Sequence, residues 1–345
     1  MTSSSMAKPS FGSRLKRLFL NNRRSSGRGF TLIELLVVVA IAGGIVSGLT
    51  YIVVQMMTAD QRESARSETQ REMQLALDYM STELREAVYT YPGEYLQNAN
   101  GRPFTSYLPA SVGRNSIPVL AFWKYQPFPQ TVKNACARGP VAGVTCSAGQ
   151  SYALVVYLLT QNPRTAGSPW RGEARITRYV LSQFNSQGTL NPGWADPGRE
   201  GGIFATWPIV PGTSVNLQTG TPTGQAYTLV DYVSLNPALS TQIGQAGTCP
   251  TGYSLSPNNA LATGTFADRS FYACVFAPTI TVTQNGVQQT RADISQYRDV
   301  ILFLRGSAAG RPGVTRSLAN RNQELLPTLQ TRVLSRSVLS RQPAQ

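Results

Sequence analysis

One ionisable residue stands where the surroundings are apolar. Residues 30 to 54 read FTLIELLVVVAIAGGIVSGLTYIVV, and Glu34 is the single charge in these 25 residues. A carboxylate in such a run costs several kcal/mol unless it is paired, so an ionisable group there marks function by default. It lies five residues after Gly29, the last residue of a basic, acid-free segment. Other candidate chemistry is thin. The chain has no histidine, which removes Ser-His-Asp and Cys-His catalysis, His-ligated zinc and most pH switching near neutrality. No GK[ST] tripeptide is present, so no phosphate-binding P-loop is expected.

Four cysteines, Cys136, Cys146, Cys249 and Cys274, follow the apolar run, and none lies in a C-x-x-C. If that region is extracytoplasmic they read as disulfides. Four allow three pairings; loop closure favours the nearest-neighbour one, Cys136 with Cys146 and Cys249 with Cys274. Trp123, Trp170, Trp194 and Trp207 could stack on sugar rings, but burial is the commoner use of such aromatics. Asp196 and Glu200 lie in a Gly/Pro loop, yet two spaced carboxylates without an Asp-x-Asp-x-Asp-Gly pattern are a weak calcium site. No metal, no cofactor and no enzymatic activity are expected.

These residues need elements to position them. The net charge of +14 is split unevenly: residues 1–29 carry Lys8, Arg14, Lys16, Arg17, Arg23, Arg24 and Arg28 and no acid. A basic segment before an apolar run is a topology signal, because Lys and Arg next to a span stay cytoplasmic. The apolar run is long enough, as a helix, to cross a hydrocarbon layer of about 30 Å. It is longer than the core of a secretory signal, about 7–15 residues, so it stays attached. Gly43, Gly44 and Gly48 fall inside it, and Gly44 with Gly48 makes a small-xxx-small pair that allows close helix approach.

Beyond Gln55 the run turns polar, with Glu63–Arg66 and Glu68–Arg71 spaced for ion pairs along a helix. Met73, Leu77, Met80, Leu84 and Val88 then recur at helical spacing. The expectation is one continuous helix over residues 30–89: membranous first, exposed in the middle, docked on a domain in its last turns, and ended by Pro92-Gly93. After residue 92 short β-rich runs appear at 119–125, 152–160, 174–183, 227–235, 271–276, 279–283 and 300–304, with Asn285-Gly286 as a hairpin turn before 287–290. The fold class read from this is α+β: a long N-terminal helix packed on an antiparallel β-sheet head. The divisions are 1–29, 30–54, 55–91, a β-rich head at 92–325 and a basic tail at 326–345, either a short strand or an exposed arm.

Gly29-Phe30-Thr31-Leu32-Ile33-Glu34, behind the basic segment and ahead of the apolar helix, resembles the type IV prepilins and the pseudopilins of type II secretion. The stretch from Leu77 to Ala87 is similar to the PilW/PulJ-like minor pilins and pseudopilins. More narrowly, residues 60–91, 300–306 and 326–342 resemble the pseudopilins of hormogonium polysaccharide secretion in cyanobacteria. The basic segment is long for a short-leader pilin. The head is larger than that of a typical major pilin, which argues for a minor subunit.

The resemblance implies that a prepilin peptidase cuts after Gly29 and methylates the new amine of Phe30. It implies that Glu34 pairs with the Phe30 amine of a neighbouring subunit, and that the glycine stretch of the span can unwind locally. Expected partners are other pilins or pseudopilins, the peptidase, the inner-membrane assembly platform and, before assembly, membrane lipid. The expected location is the inner membrane in a single pass, head outside, and later a periplasmic or surface filament. The leading role is a structural subunit acting at filament initiation or in a tip complex. Two alternatives stand beside it: a tip subunit that captures DNA or polysaccharide, and a single-span membrane sensor or hydrolase.

Overall fold

The computed structural model describes residues 29–335 except 166, 200–202, 236–246, 268, 285–286, 293–298 and 315–325; the side chains of 279–292 are also outside the description. Residues 1–28 of the basic segment, Glu200, the Asn285-Gly286 turn and the tail from 336 therefore lie outside the described residues.

Helix α1 spans Leu32–Leu84, 53 residues. The chain divides near residue 57 into two compact units. In the first, every residue from 29 to 57 is exposed, and an 18-residue window reaches a mean hydropathy of 2.4 with none of it buried by the protein itself. That combination has length and composition for a membrane span.

In the second unit, the stripe Met73, Ala76, Leu77, Met80 and Leu84 is buried as its spacing predicts. The expected continuation of the helix to residue 89 is corrected: α1 stops at Leu84, and Ala87–Thr90 is strand β1. Val88-Tyr89-Thr90-Tyr91 is a run of β-branched and aromatic residues, which favours a pleated, buried surface over another helical turn. All four residues of β1 are buried, and Tyr89 and Thr90 face Trp123 and Phe122 of the next strand.

The remaining strands are β2 (Ser116–Pro127), β3 (Gln150–Gln161), β4 (Ala174–Ser182), β5 (Gln225–Val233), β6 (Tyr253–Ser256), β7 (Phe271–Phe276), β8 (Thr279–Gln284), β9 (Val287–Ala292), β10 (Asp299–Leu304) and β11 (Leu329–Leu334). The single sheet expected is two. One is β1-β2-β3-β4-β5, the other β11-β10-β7-β6, and β8 and β9 pair as a separate hairpin; all the pairings are antiparallel. β11 is drawn from the region read as a tail: of the two readings offered for it, the short strand holds over residues 329–334, and the arm does not hold there. Short helices α2 (Gly93–Gln97), α3 (Ala110–Gly113) and α4 (Gln130–Arg138) fill the connections.

One core lies between the buried stripe of α1 and the inner rows of both sheets, including Phe122, Val155, Ile176, Phe271, Val300 and Leu302. A second core covers the opposite face of the five-stranded sheet, where Tyr91, Phe104, Trp123, Tyr179 and Trp207 pack under loops. Central strand β3 is therefore buried on both faces and reads as a continuous apolar run, not an alternating one. Trp123 donates to the Tyr91 hydroxyl at 2.8 Å and Trp207 to the Ala195 carbonyl at 2.9 Å, so both buried indoles have their polar atom satisfied.

The segment after β10 crosses α1 closely. A Cβ on Gly306 would lie 3.0 Å from Met73 and Thr69 side-chain carbons, a contact only glycine relieves cheaply. Nearby, buried Arg311 donates to Thr69 Oγ1 at 2.7 Å, pairs with Glu68 at 2.7 Å and with Glu72, and stacks 4.2 Å from the Tyr232 ring centroid. The middle of α1, expected to be exposed, is thus partly covered: Ala65 and Thr69 are buried, and Glu68 reaches Arg311.

The disulfides join Cys136 to Cys146 with Cα atoms 5.4 Å apart and Cys249 to Cys274 with Cα atoms 5.5 Å apart. Their sequence separations of 10 and 25 give the second the larger entropic effect on the unfolded chain. Replacing Cys249 and Cys274 together by serine is expected to lower unfolding free energy by about 2–4 kcal/mol. Denaturant melts checked against non-reducing peptide maps measure it, and an unchanged midpoint would contradict the expectation.

Candidate functional site

The N-terminal site is built on how α1 starts. Thr31 precedes the first helical residue, and its Oγ1 accepts the Glu34 backbone N–H at 3.3 Å. Its carbonyl accepts the N–H groups of Glu34 and Leu35 at 3.1 and 3.2 Å. Thr31-Leu32-Ile33-Glu34 therefore has the spacing of a capping box, with threonine at the cap and glutamate three residues on. Glu34 also stands in the first turn, where the helix dipole favours an anion. The cap fixes the boundary: Gly29 and Phe30 stay outside the helix as accessible backbone, and Phe30 is 78% exposed.

The Glu34 side chain is exposed, and among the described residues no cation or donor meets its carboxylate. Gly43, Gly44 and Gly48 are all helical, and a Cβ at any of them would touch nothing within 4 Å. The structure thus brings Gly29, Phe30 and Glu34 together at one capped helix start. The three glycines lie two to four turns further along an unbroken helix.

The head holds a second charged constellation that the sequence reading missed. Glu83 is 6% exposed on the helix side that packs on the five-stranded sheet. Arg178 donates to it through Nε at 2.8 Å and through a second nitrogen, Tyr157 donates its hydroxyl, and Lys124 lies 3.1 Å away while also reaching Glu86 at 3.0 Å. Burial pushes the Glu83 carboxyl up, but the hydrogen bonds from Arg178 and Tyr157 and the charges of Arg178 and Lys124 outweigh it and hold it below the usual glutamate value. Burial and the facing Glu83 carboxylate both push the Tyr157 hydroxyl up, so it remains a donor. A signal was available. Glu83 is three residues after Met80 on the apolar stripe, and Arg178 sits in one strand row with Ile176 and Val180. Both are charges at apolar positions, and register places Tyr157 directly opposite Arg178. The arrangement can clamp α1 to the sheet; it offers no nucleophile or open acid-base pair.

The remaining sequence candidates are placed as follows. Trp194 donates to the Tyr152 carbonyl at 2.9 Å, and the Arg175 guanidinium lies 5.1 Å from the Trp170 ring centroid. Asp196 accepts the Gly198 N–H at 2.9 Å in its own turn, and burial pushes its carboxyl up. Among the described residues no three His, Cys, Asp or Glu side chains cluster as a metal site.

No curated protein and no solved structure matches the chain significantly. Residues 24–50 match the model of the prokaryotic N-terminal methylation motif, which covers the end of the basic segment, the Gly29-Phe30 junction, the capped helix start and most of the apolar run. Over those residues the chain therefore carries the signature of type IV pilins and pseudopilins, and the apolar N-terminal helix found among the described residues fits an inner-membrane anchor.

Proposed function

We propose that this chain is a minor pilin or pseudopilin of the PilW/PulJ-like kind, a structural subunit that enters a type IV pilus or secretion pseudopilus at its initiation or tip complex. The observation that carries the reading is the Glu34 carboxylate, without a partner among the described residues, in the first turn of the exposed apolar stretch that opens α1, directly after the Gly29-Phe30 junction. Cutting after Gly29 creates a cationic amine on Phe30, next to the positive end of the helix dipole, where a cation is unfavourable. A carboxylate from a neighbouring helix offsets that charge, and Glu34 of each subunit does the same for the next.

The pair also sets register, since it forms only when one helix is displaced along the other to bring residue 30 beside residue 34. Gly44 and Gly48 leave room for two helices to approach in the span. The large head with its own two-sheet core favours a subunit used once or a few times over one repeated along a close-packed shaft. The role is structural: processing by prepilin peptidase, lateral insertion through Glu34, and extraction from the membrane by the assembly platform.

Affinity isolation of the full chain from detergent extracts tests this. The expected result is recovery of other subunits bearing the methylation motif. Recovery of the chain alone, with its leader intact, would contradict the reading.

A further inference from the structure

Two tight turns of the head form a cleft of about 360 Å³ that no part of the assembly reading uses. One wall is the turn 99–102, closed by hydrogen bonds between Ala99 and Arg102 at 2.7 and 3.3 Å, with Asn100 and Gly101 both at positive φ. The other is the hairpin 209–216, closed by Val210 N–H to the Val215 carbonyl at 3.0 Å and turned at Gly212, φ 73°. Asn100 ties the walls by donating to the Thr206 carbonyl at 2.8 Å. Buried Tyr107 lies at the base, its hydroxyl donating to the Ala99 carbonyl at 3.1 Å and its ring edge-on to Trp207. The cleft is therefore preformed and fixed to the aromatic core, and its volume is within the range of small-ligand sites.

Its lining is rich in donors and lacks carboxylates. Arg102 is the one cation among the lining residues, and among the described residues its guanidinium has no partner; neither does the Ser214 hydroxyl. Asn216 uses its side-chain oxygen on the Gln218 N–H, at 2.9 Å, and keeps its NH₂. Ile209 and Val210 add half-buried apolar surface. A nucleic acid calls for several cations tracking a backbone together with stacking aromatics, and a lone guanidinium among amides and hydroxyls does not supply that.

We propose that the cleft binds an acidic sugar residue, a hydroxylated carboxylate such as a uronate unit of a polysaccharide. Arg102 takes the carboxylate, Ser214 and Asn216 take ring hydroxyls, and Ile209 and Val210 lie against C–H surface. The inference stands independently of the assembly role.

The test is calorimetric titration of the full-length protein in detergent with oligogalacturonate, with a neutral oligosaccharide of equal length, and with acetate or inorganic phosphate. Saturable binding of oligogalacturonate alone is expected. It should weaken about tenfold or more in Arg102→Gln, because the charge-assisted hydrogen bond to the carboxylate is lost. It should be unchanged in Arg171→Gln, which removes an exposed cation that does not line the cleft. Absence of saturable binding, equal binding of the neutral oligomer, equal binding of acetate or phosphate, or an Arg102→Gln protein that binds normally would each overturn the proposal.

Discussion

Glu34→Val is expected to leave the protein cut and membrane-bound while lowering its recovery with partner subunits about tenfold or more. Insertion should not suffer, since the change makes the span more apolar. What is lost is the counter-charge for a neighbour's Phe30 amine. An ion stranded in a low-dielectric interface costs several kcal/mol, and about 1.4 kcal/mol already gives a factor of ten. Backbone capping by Thr31 is retained, because its oxygen accepts the main-chain N–H of residue 34 and not the side chain. The defect should therefore appear in assembly and not in helix content or abundance. Quantitative pull-downs, wild type against variant at equal membrane level, read it. Equal recovery would argue against a position between two neighbours, and a fall in membrane level would move the effect to insertion.

The second large effect lies in the head. Glu83→Ala is expected to lower its unfolding free energy by about 3–5 kcal/mol, because it leaves the largely covered Arg178 without its anion and Tyr157 without its acceptor, while Lys124 keeps only the exposed Glu86. Replacing Glu83 and Arg178 together by methionine should recover much of that loss, since apolar residues of similar volume fill such a site well. The pH dependence has a definite sign. The folded carboxyl of Glu83 is held below its ordinary value of 4.5, so its contribution is present above that value and fades as pH falls from there through the lower folded value. In Glu83→Gln that part of the acid sensitivity should be missing. Denaturant melts at neutral and acid pH measure both effects; an alanine variant as stable as wild type would contradict the clamp.

Much of the fold was legible because its signals are local. The apolar run, the stripe from Met73 to Leu84 and the β-rich runs at 119–125 and 271–276 each announce themselves over a few residues, and the structure puts helix and strands there. The helix end was misplaced because Val88 fits the helical spacing and the β-forming run around it at once. Pairing with Trp123 and Phe122, more than thirty residues away, decides between them. The division into two sheets and the pairing of the tail strand 329–334 with β10 depend on long-range register, which no short window contains. The junction residues were readable as a motif because Gly29, Phe30, Thr31 and Glu34 all lie within one six-residue stretch. The Glu83 cluster was not, since its members come from α1, β2, β3 and β4 and meet only after the sheet has formed.

On the function proposed above, the Gly29-Phe30 junction is a processing site that opens on an assembly helix. Mass spectrometry of the protein's N-terminal peptide, taken from membranes of cells that hold the peptidase, tests it most directly. A chain beginning at Phe30 with one methyl group on its amine is expected, and an uncut precursor when Gly29 is replaced by a bulky residue. A wild-type chain that keeps its residues before Phe30 would contradict it.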